Sequence, residues 1–126
     1  MPARILIAED EFAVRSLVTR ALTQDGHQVI ATADGGAALE AFAQDPGGFD
    51  LLLTDIKMPV MDGIELALAV ARDEPELPIL LMTGYADQRE RASGLDALIH
   101  DVIAKPFTLG DIQYAVAGAL AAAPRR

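Results

Sequence analysis

The chain has no cysteine and no tryptophan, and aromatic residues make up only 5% of its 126 positions. Without cysteine there is no disulfide framework and no thiolate metal site. Cations are scarce: 10 Lys+Arg face 19 Asp+Glu, a formal charge of -9. A field of that sign disfavours nucleic acid and anionic membrane surfaces, so neither is expected as a partner. No apolar run approaches the ~20 residues that a membrane-spanning helix needs. The N-terminus enters an apolar run directly, without the layout of a secretion leader, so a cytoplasmic protein is expected. Hydrophobic residues reach 52%, enough for the core of one domain. A single domain over 1–126 is expected, with too little chain after the last helical stripe for an effector domain.

Two periods alternate along the chain. Short apolar runs at Arg4 to Ala8, Leu51 to Thr54, Ile79 to Met82 and Val102 to Ala104 read as strands, and the mixed segment Gln28 to Thr32 reads as another. Between them lie helical stripes: Val14, Leu17, Val18, Ala21 and Leu22; Ala38, Leu39, Phe42 and Ala43; Ile64, Ala67, Leu68 and Ala71; and, last, Leu109, Ile112, Val116 and Leu120. Gly26 closes the first helix, Pro46-Gly47-Gly48 breaks the second, and Pro75 and Pro78 bracket a turn. A further helix is expected over Asp87 to Leu95, with five polar or charged residues in a row and only Ala92 and Leu95 to bury. Such a segment belongs at the low-stability end of a fold. Strand-helix alternation predicts an α/β fold with a doubly wound, five-stranded parallel sheet covered on both faces. Right-handed crossovers favour the order 2-1-3-4-5, with the mixed second and short fifth strands at the edges.

Each strand end hands a polar group to the chain that follows: Glu9 and Asp10 after the first, Asp55 after the third, Thr83 after the fourth, Lys105-Pro106 after the fifth. In a doubly wound sheet ligands bind beyond the carboxyl ends of the strands, so one site is expected. Three carboxylates placed together call for a cation. Oxygen donors without His or Cys suit Mg²⁺ rather than zinc. Asp10 and Asp55 are the expected direct ligands, and Glu9 acts through water. This set suits phosphoryl transfer, which is mostly positioning and charge neutralisation. Asp55 is the expected nucleophile, giving an acyl phosphate. Mg²⁺ and Lys105 neutralise the phosphoryl oxygens, Thr83 donates its hydroxyl, and Gly84 lets a backbone N–H approach. Pro106 allows a cis peptide after Lys105.

The pair Glu9-Asp10, Asp55 with Lys57-Met58-Pro59 and Asp62-Gly63, Thr83-Gly84, and Lys105-Pro106-Phe107 resemble the receiver domain of two-component response regulators, over essentially the whole chain. The resemblance implies a CheY-like (βα)5 fold with Asp55 as phosphoacceptor and the backbone carbonyl of Lys57 as a third protein ligand of Mg²⁺. It also implies a histidine kinase or histidine phosphotransfer protein as partner, and a monomer or weak dimer. Such a domain assists its own phosphotransfer and autodephosphorylation without being an enzyme in the usual sense. The segment from Leu80 to Phe107 is more similar still to single-domain regulators of the CpdR type. Those act, unphosphorylated, as adaptors that direct substrates to the ClpXP protease. Two positions depart from the receiver pattern. Glu9 stands where receivers usually have aspartate, and Val102 stands where an aromatic residue often swings on phosphorylation; Tyr85 offers an aromatic side chain elsewhere.

Other readings weigh less. A phosphate sink would use the same acceptor without an adaptor surface. An aspartyl-nucleophile phosphatase wants an acid two residues after the nucleophile, where Lys57 stands. A flavodoxin-like cofactor site would place a phosphate against Glu9-Asp10-Glu11. Glu11 is read as starting the first helix. His27 and His100 are read as turn or surface residues, Met58 and Met61 as loop packing, and Arg89 and Arg91 as a solvated face.

Overall fold

The structure is a computed structural model and describes residues 2–84 and 92–123. Five strands form one parallel sheet: β1 (Arg4–Ala8), β2 (Gln28–Thr32), β3 (Leu51–Asp55), β4 (Ile79–Thr83) and β5 (Asp101–Ala104), in the order β2-β1-β3-β4-β5. Among the described residues four α-helices flank it: α1 (Phe12–Gln24), α2 (Gly35–Gln44), α3 (Gly63–Asp73) and α4 (Leu109–Ala122). Sheet and order are as the alternation predicts. β5 begins at Asp101, one residue before the apolar run. Of the helix expected over 87–95, residues 87–91 lie outside the described ones; Ala92 is helical and Ser93–Leu95 form a short 3-10 turn. Ala92 is buried and Leu95 half-buried, as its sparse apolar content implies.

Side chains alternate across each strand, and the two faces make two cores. Leu6, Leu52, Ile79 and Leu81 pack with Phe42, Leu66 and Val70 under α2 and α3. Ile5, Ile7, Leu51, Leu53 and Leu80 pack with Leu22, Ile112 and Val116 under α1 and α4. β3 and β4 are buried at every position, which is why their sequences run apolar without alternation. Each fully buried Leu or Ile contributes about 1.5–3 kcal/mol relative to exposure. β2 and β5 are half-covered edges.

Register sets the site. Ala8 pairs with both Thr32 and Thr54, Asp55 with Met82, and Thr83 with Ala104, so the carboxyl ends of β1, β3, β4 and β5 finish together. The ladder continues past the strands: the Glu9 N–H donates to Thr32 O (3.0 Å), that of Ile56 to Met82 O (3.1 Å), and that of Lys105 to Thr83 O (2.7 Å). Helix starts are capped locally. Asp34 Oδ1 accepts from the Ala37 N–H, and Asp62/Glu65 and Thr108/Asp111 form reciprocal capping boxes. Gly26, at φ +87°, turns the chain out of α1.

The loop from β3 to α3 is tightly held. At its neck the Gly63 N–H donates to Ile56 O (2.8 Å), and a Cβ on Gly63 would lie 1.9 Å from Asp55 O. Against its flank, a Cβ on Gly35 would lie 2.1 Å from Met61 O. Within it, the Met61 N–H donates to Pro59 O (2.8 Å) across Val60, whose φ is +72°. That is a γ-turn with its central residue in the left-handed region, a conformation that costs a β-branched residue about 1–2 kcal/mol.

Candidate functional site

Lys105 is the hub of the strand ends. Its Nζ lies 2.8 Å from Glu9 Oε1, 3.1 Å from Asp55 Oδ2 and 3.7 Å from Glu11 Oε1. The Lys105-Pro106 peptide bond is cis. Asp55 is 4% exposed, and its Oδ1 accepts the Ile56 N–H at 2.9 Å. Glu9 is completely buried; its Oε2 accepts the Glu11 N–H at 3.0 Å. Asp10, next in the chain, is exposed. One carboxylate oxygen each from Glu9, Asp10 and Asp55 lies within 4.8 Å of the others, a group able to hold a metal ion. Thr83 is buried at the end of β4. Among the described residues, a Cβ on Gly84 would meet Lys105 Cδ at 4.0 Å.

Burial raises the pKa of Glu9 to about 7, against the pull of Lys105. Burial raises that of Asp55 as well, while the charge and hydrogen bond of Lys105 hold it down. For Lys105, burial works to lower the pKa. The hydrogen bond to Glu9 and the charge of Asp55 outweigh it, and the net direction is up. The lysine is therefore a firm cation between two carboxyls of which burial disfavours the charge. A second cation or an anion placed between them changes that balance directly.

Above the group opens a cleft of about 840 Å³, with Asp10, Asp55, Lys57, Gly84 and Lys105 on its polar side and Val14, Leu17 and Phe107 on its apolar side. Lys57 is exposed at the rim. Val102 is elsewhere: half-buried on β5, it packs against the core under α2 and α3. Tyr85, Arg89 and Arg91 lie outside the described residues.

The chain matches the response regulator receiver domain model over residues 5–117. It belongs to that family. Among curated relatives, the receiver is 37% identical over 109 residues to the transcriptional regulatory protein TcrA of Mycobacterium tuberculosis, covering 86% of this chain and 42% of the relative. It is 38% identical over 112 residues to the response regulator MprA of Mycolicibacterium vanbaalenii, covering 89% and 48%. The chain thus spans less than half the length of these relatives. Among solved structures, it overlays a CheY-like receiver domain protein of Methanospirillum hungatei with a TM-score of 0.86 at 29% identity, covering 96% of this chain and 95% of the other. It overlays the chemotaxis protein CheY4 of Vibrio cholerae with a TM-score of 0.83 at 26% identity, covering 94% and 99%. Receiver domains are phosphoacceptor signalling domains of two-component systems, served by a histidine kinase or phosphotransfer protein, and they bind Mg²⁺ at an acidic pocket.

The sequence reading named the acids and the lysine that meet here but not the contact between Glu9 and Lys105. Besides its expected place near the metal through water, Glu9 is a buried partner of Lys105. An acid on an apolar strand, with a lysine 96 positions away, gives no local signal of that pairing. Arg15 was also missed: one turn into α1, its Nη1 donates to Glu9 O at 2.8 Å and fixes the chain where β1 turns into the helix. Thr54 Oγ1 likewise donates to Asp55 O at 2.9 Å. Glu11 stands at the N-cap of α1 without a side-chain cap bond. His27 is structural, its Nδ1 accepting the Ala3 N–H.

Proposed function

We propose that Asp55 is the phosphoacceptor of this receiver and that Glu9, Asp10, Thr83, Gly84 and Lys105 serve it. The observation that carries this reading is Lys105 Nζ held at once against Asp55 and Glu9 beside Asp10. Asp10, Asp55 and the backbone carbonyl of Lys57 would hold Mg²⁺, with Glu9 through water; the all-oxygen donor set fits that ion. Bound there, Mg²⁺ supplies positive charge for the phosphoryl oxygens. An Asp55 oxygen attacks the phosphorus of a phosphohistidine. The O–P bond forms, the N–P bond breaks, and the electron pair leaves on the imidazole nitrogen. Lys105 neutralises the transferred group, Thr83 donates its hydroxyl to it, and the Gly84 N–H approaches it. Attack of water on the acyl phosphate, assisted by the same groups, resets the protein.

The test is incubation with acetyl phosphate and Mg²⁺, read by intact mass. Wild type gains one phosphoryl group and Asp55→Ala gains none; equal gain by the variant overturns the assignment.

The output proposed is a switched protein-interaction surface on a cytoplasmic regulator. Moving a two-state surface from 1:99 to 99:1 takes about 5.5 kcal/mol of differential stabilisation, within reach of a dianion held by two cations. On the likeness of the Leu80 to Phe107 segment to CpdR-type regulators, the unphosphorylated form is proposed to direct substrates to ClpXP. A role as phosphate sink uses the same acceptor and predicts no protease binding in either state.

A further inference from the structure

We propose that Arg15 is a positioning residue for the divalent cation: from the first turn of α1 it holds the backbone that aims Asp10. This rests on the reading of Asp10 and Asp55 as Mg²⁺ ligands. Three successive carbonyls of the β1–α1 turn meet this one residue. Its Nη1 lies 2.8 Å from Glu9 O and 3.4 Å from Asp10 O, and its backbone N–H donates to Glu11 O at 2.9 Å. Helix propagation accounts for the last of these bonds. The first two belong to the side chain, a planar donor that reaches back past the start of its own helix. The place is otherwise a poor one for a cation. A positive charge near a helix N-terminus opposes the macrodipole, and this one stands beside a turn that is to hold a doubly charged ion. The guanidinium also lies 5.5 Å from the centre of the Phe12 ring, but that ring is 74% exposed and buries little of it.

Glu9 is well fixed without Arg15. Its Oε1 meets Lys105, its Oε2 accepts the Glu11 N–H, and its own N–H continues the ladder to Thr32 O. Asp10 is placed differently. It is exposed, in a bend between the end of β1 and the N-cap of α1 at Glu11, which has no side-chain cap bond. An exposed ligand on such a turn loses conformational freedom when it takes hold of an ion. That cost falls if the backbone beneath it is already held, and Arg15 bonds the carbonyl before Asp10, its own and the one after it. Groups that orient metal ligands are worth about 10–100-fold in affinity. Coulomb's law gives the opposite sign: a guanidinium near the site repels Mg²⁺, so on charge alone its removal tightens binding. Positioning and charge therefore predict opposite outcomes for one substitution.

The experiment titrates Mg²⁺ into wild type, Arg15→Met and Arg15→Lys by isothermal calorimetry, and melts each protein in EDTA and in Mg²⁺. Arg15→Met keeps the apolar stem and loses every donor; Arg15→Lys keeps a charge and a donor without the planar fork. Mg²⁺ should bind Arg15→Met about tenfold more weakly than wild type, with Arg15→Lys between the two. Melting temperatures in EDTA should agree within about 3 °C, while the rise on adding Mg²⁺ shrinks in both variants. In acetyl phosphate labelling, the Mg²⁺ concentration that gives half the maximal rate should rise by the same factor as the Kd. Mg²⁺ affinity in Arg15→Met equal to wild type, or tighter, overturns the proposal, because charge then outweighs positioning. Melting temperatures in EDTA that fall in step with the affinity overturn it too, since the arginine then serves the fold at large. A wild type that binds no Mg²⁺ removes the metal-site reading, and the proposal with it, an outcome distinct from the other two.

Discussion

Replacing Glu9 with glutamine should stabilise the metal-free protein, although it breaks a 2.8 Å ion pair. The reason is that Glu9 is completely buried, and Lys105 only partly offsets the loss of water around its charge. Moving its pKa from 4.5 to about 7 makes the ionised form on the order of 3 kcal/mol less favourable in the fold than in the open chain. The sign follows from proton binding. Below about pH 4.5 both states hold the proton, and the carboxyl behaves like the neutral amide. Between 4.5 and about 7 the native state keeps the proton and the unfolded state has lost it, so wild-type stability falls as pH rises. Above 7 the loss is complete. Asp55, whose pKa is also raised by burial, acts in the same sense in both proteins. Thermal unfolding in EDTA should therefore show Glu9→Gln level with wild type near pH 4 and roughly 9 °C above it at pH 8, at roughly 3 °C per kcal/mol for a chain of this size. Mg²⁺ should narrow the gap, because a cation beside the acids favours the ionised form. A wild type that is the more stable protein at pH 8 in EDTA would refute the argument, since the ion pair would then outweigh burial.

Other outcomes follow from particular contacts. Gly63→Ala sets a Cβ 1.9 Å from Asp55 O and should cost about 1–3 kcal/mol or more in denaturant titration, with slowed acetyl phosphate labelling because the acceptor's own backbone must shift. Gly118, in α4 with no described residue within 4 Å of a built Cβ, should give the opposite result: Gly118→Ala gains about 0.5–1 kcal/mol. Asp10→Asn should weaken Mg²⁺ binding in calorimetry at least tenfold while leaving the metal-free melting temperature close to wild type, because Asp10 is exposed. In affinity capture, Asp55→Ala should retain ClpXP with or without acetyl phosphate, whereas wild type should lose it on phosphorylation; retention by the phosphorylated form alone would reverse the proposed polarity.

The order of the strands, and the polar groups that gather at their ends, were legible in sequence because both are written locally. An apolar run that stops at Asp55 or Thr83 marks a strand buried on both faces and the edge at which it emerges. The receiver motif at Asp55, Thr83 and Lys105 then needs no distance to be recognised. Legibility failed where the deciding partner is remote in the chain or where local preference is overruled. Nothing near Glu9 announces Lys105, and nothing near Val60 announces a left-handed backbone, since valine resists it. Only the parallel register, bringing Ala8, Asp55, Thr83 and Ala104 to one edge, turned a buried acid into the partner of a lysine. Only the closure of the β3–α3 loop over Gly35 and Gly63 forced Val60 into its turn. Composition and period set which elements form; which charges share a dielectric, and which backbone bears strain, were decided by what the fold laid side by side.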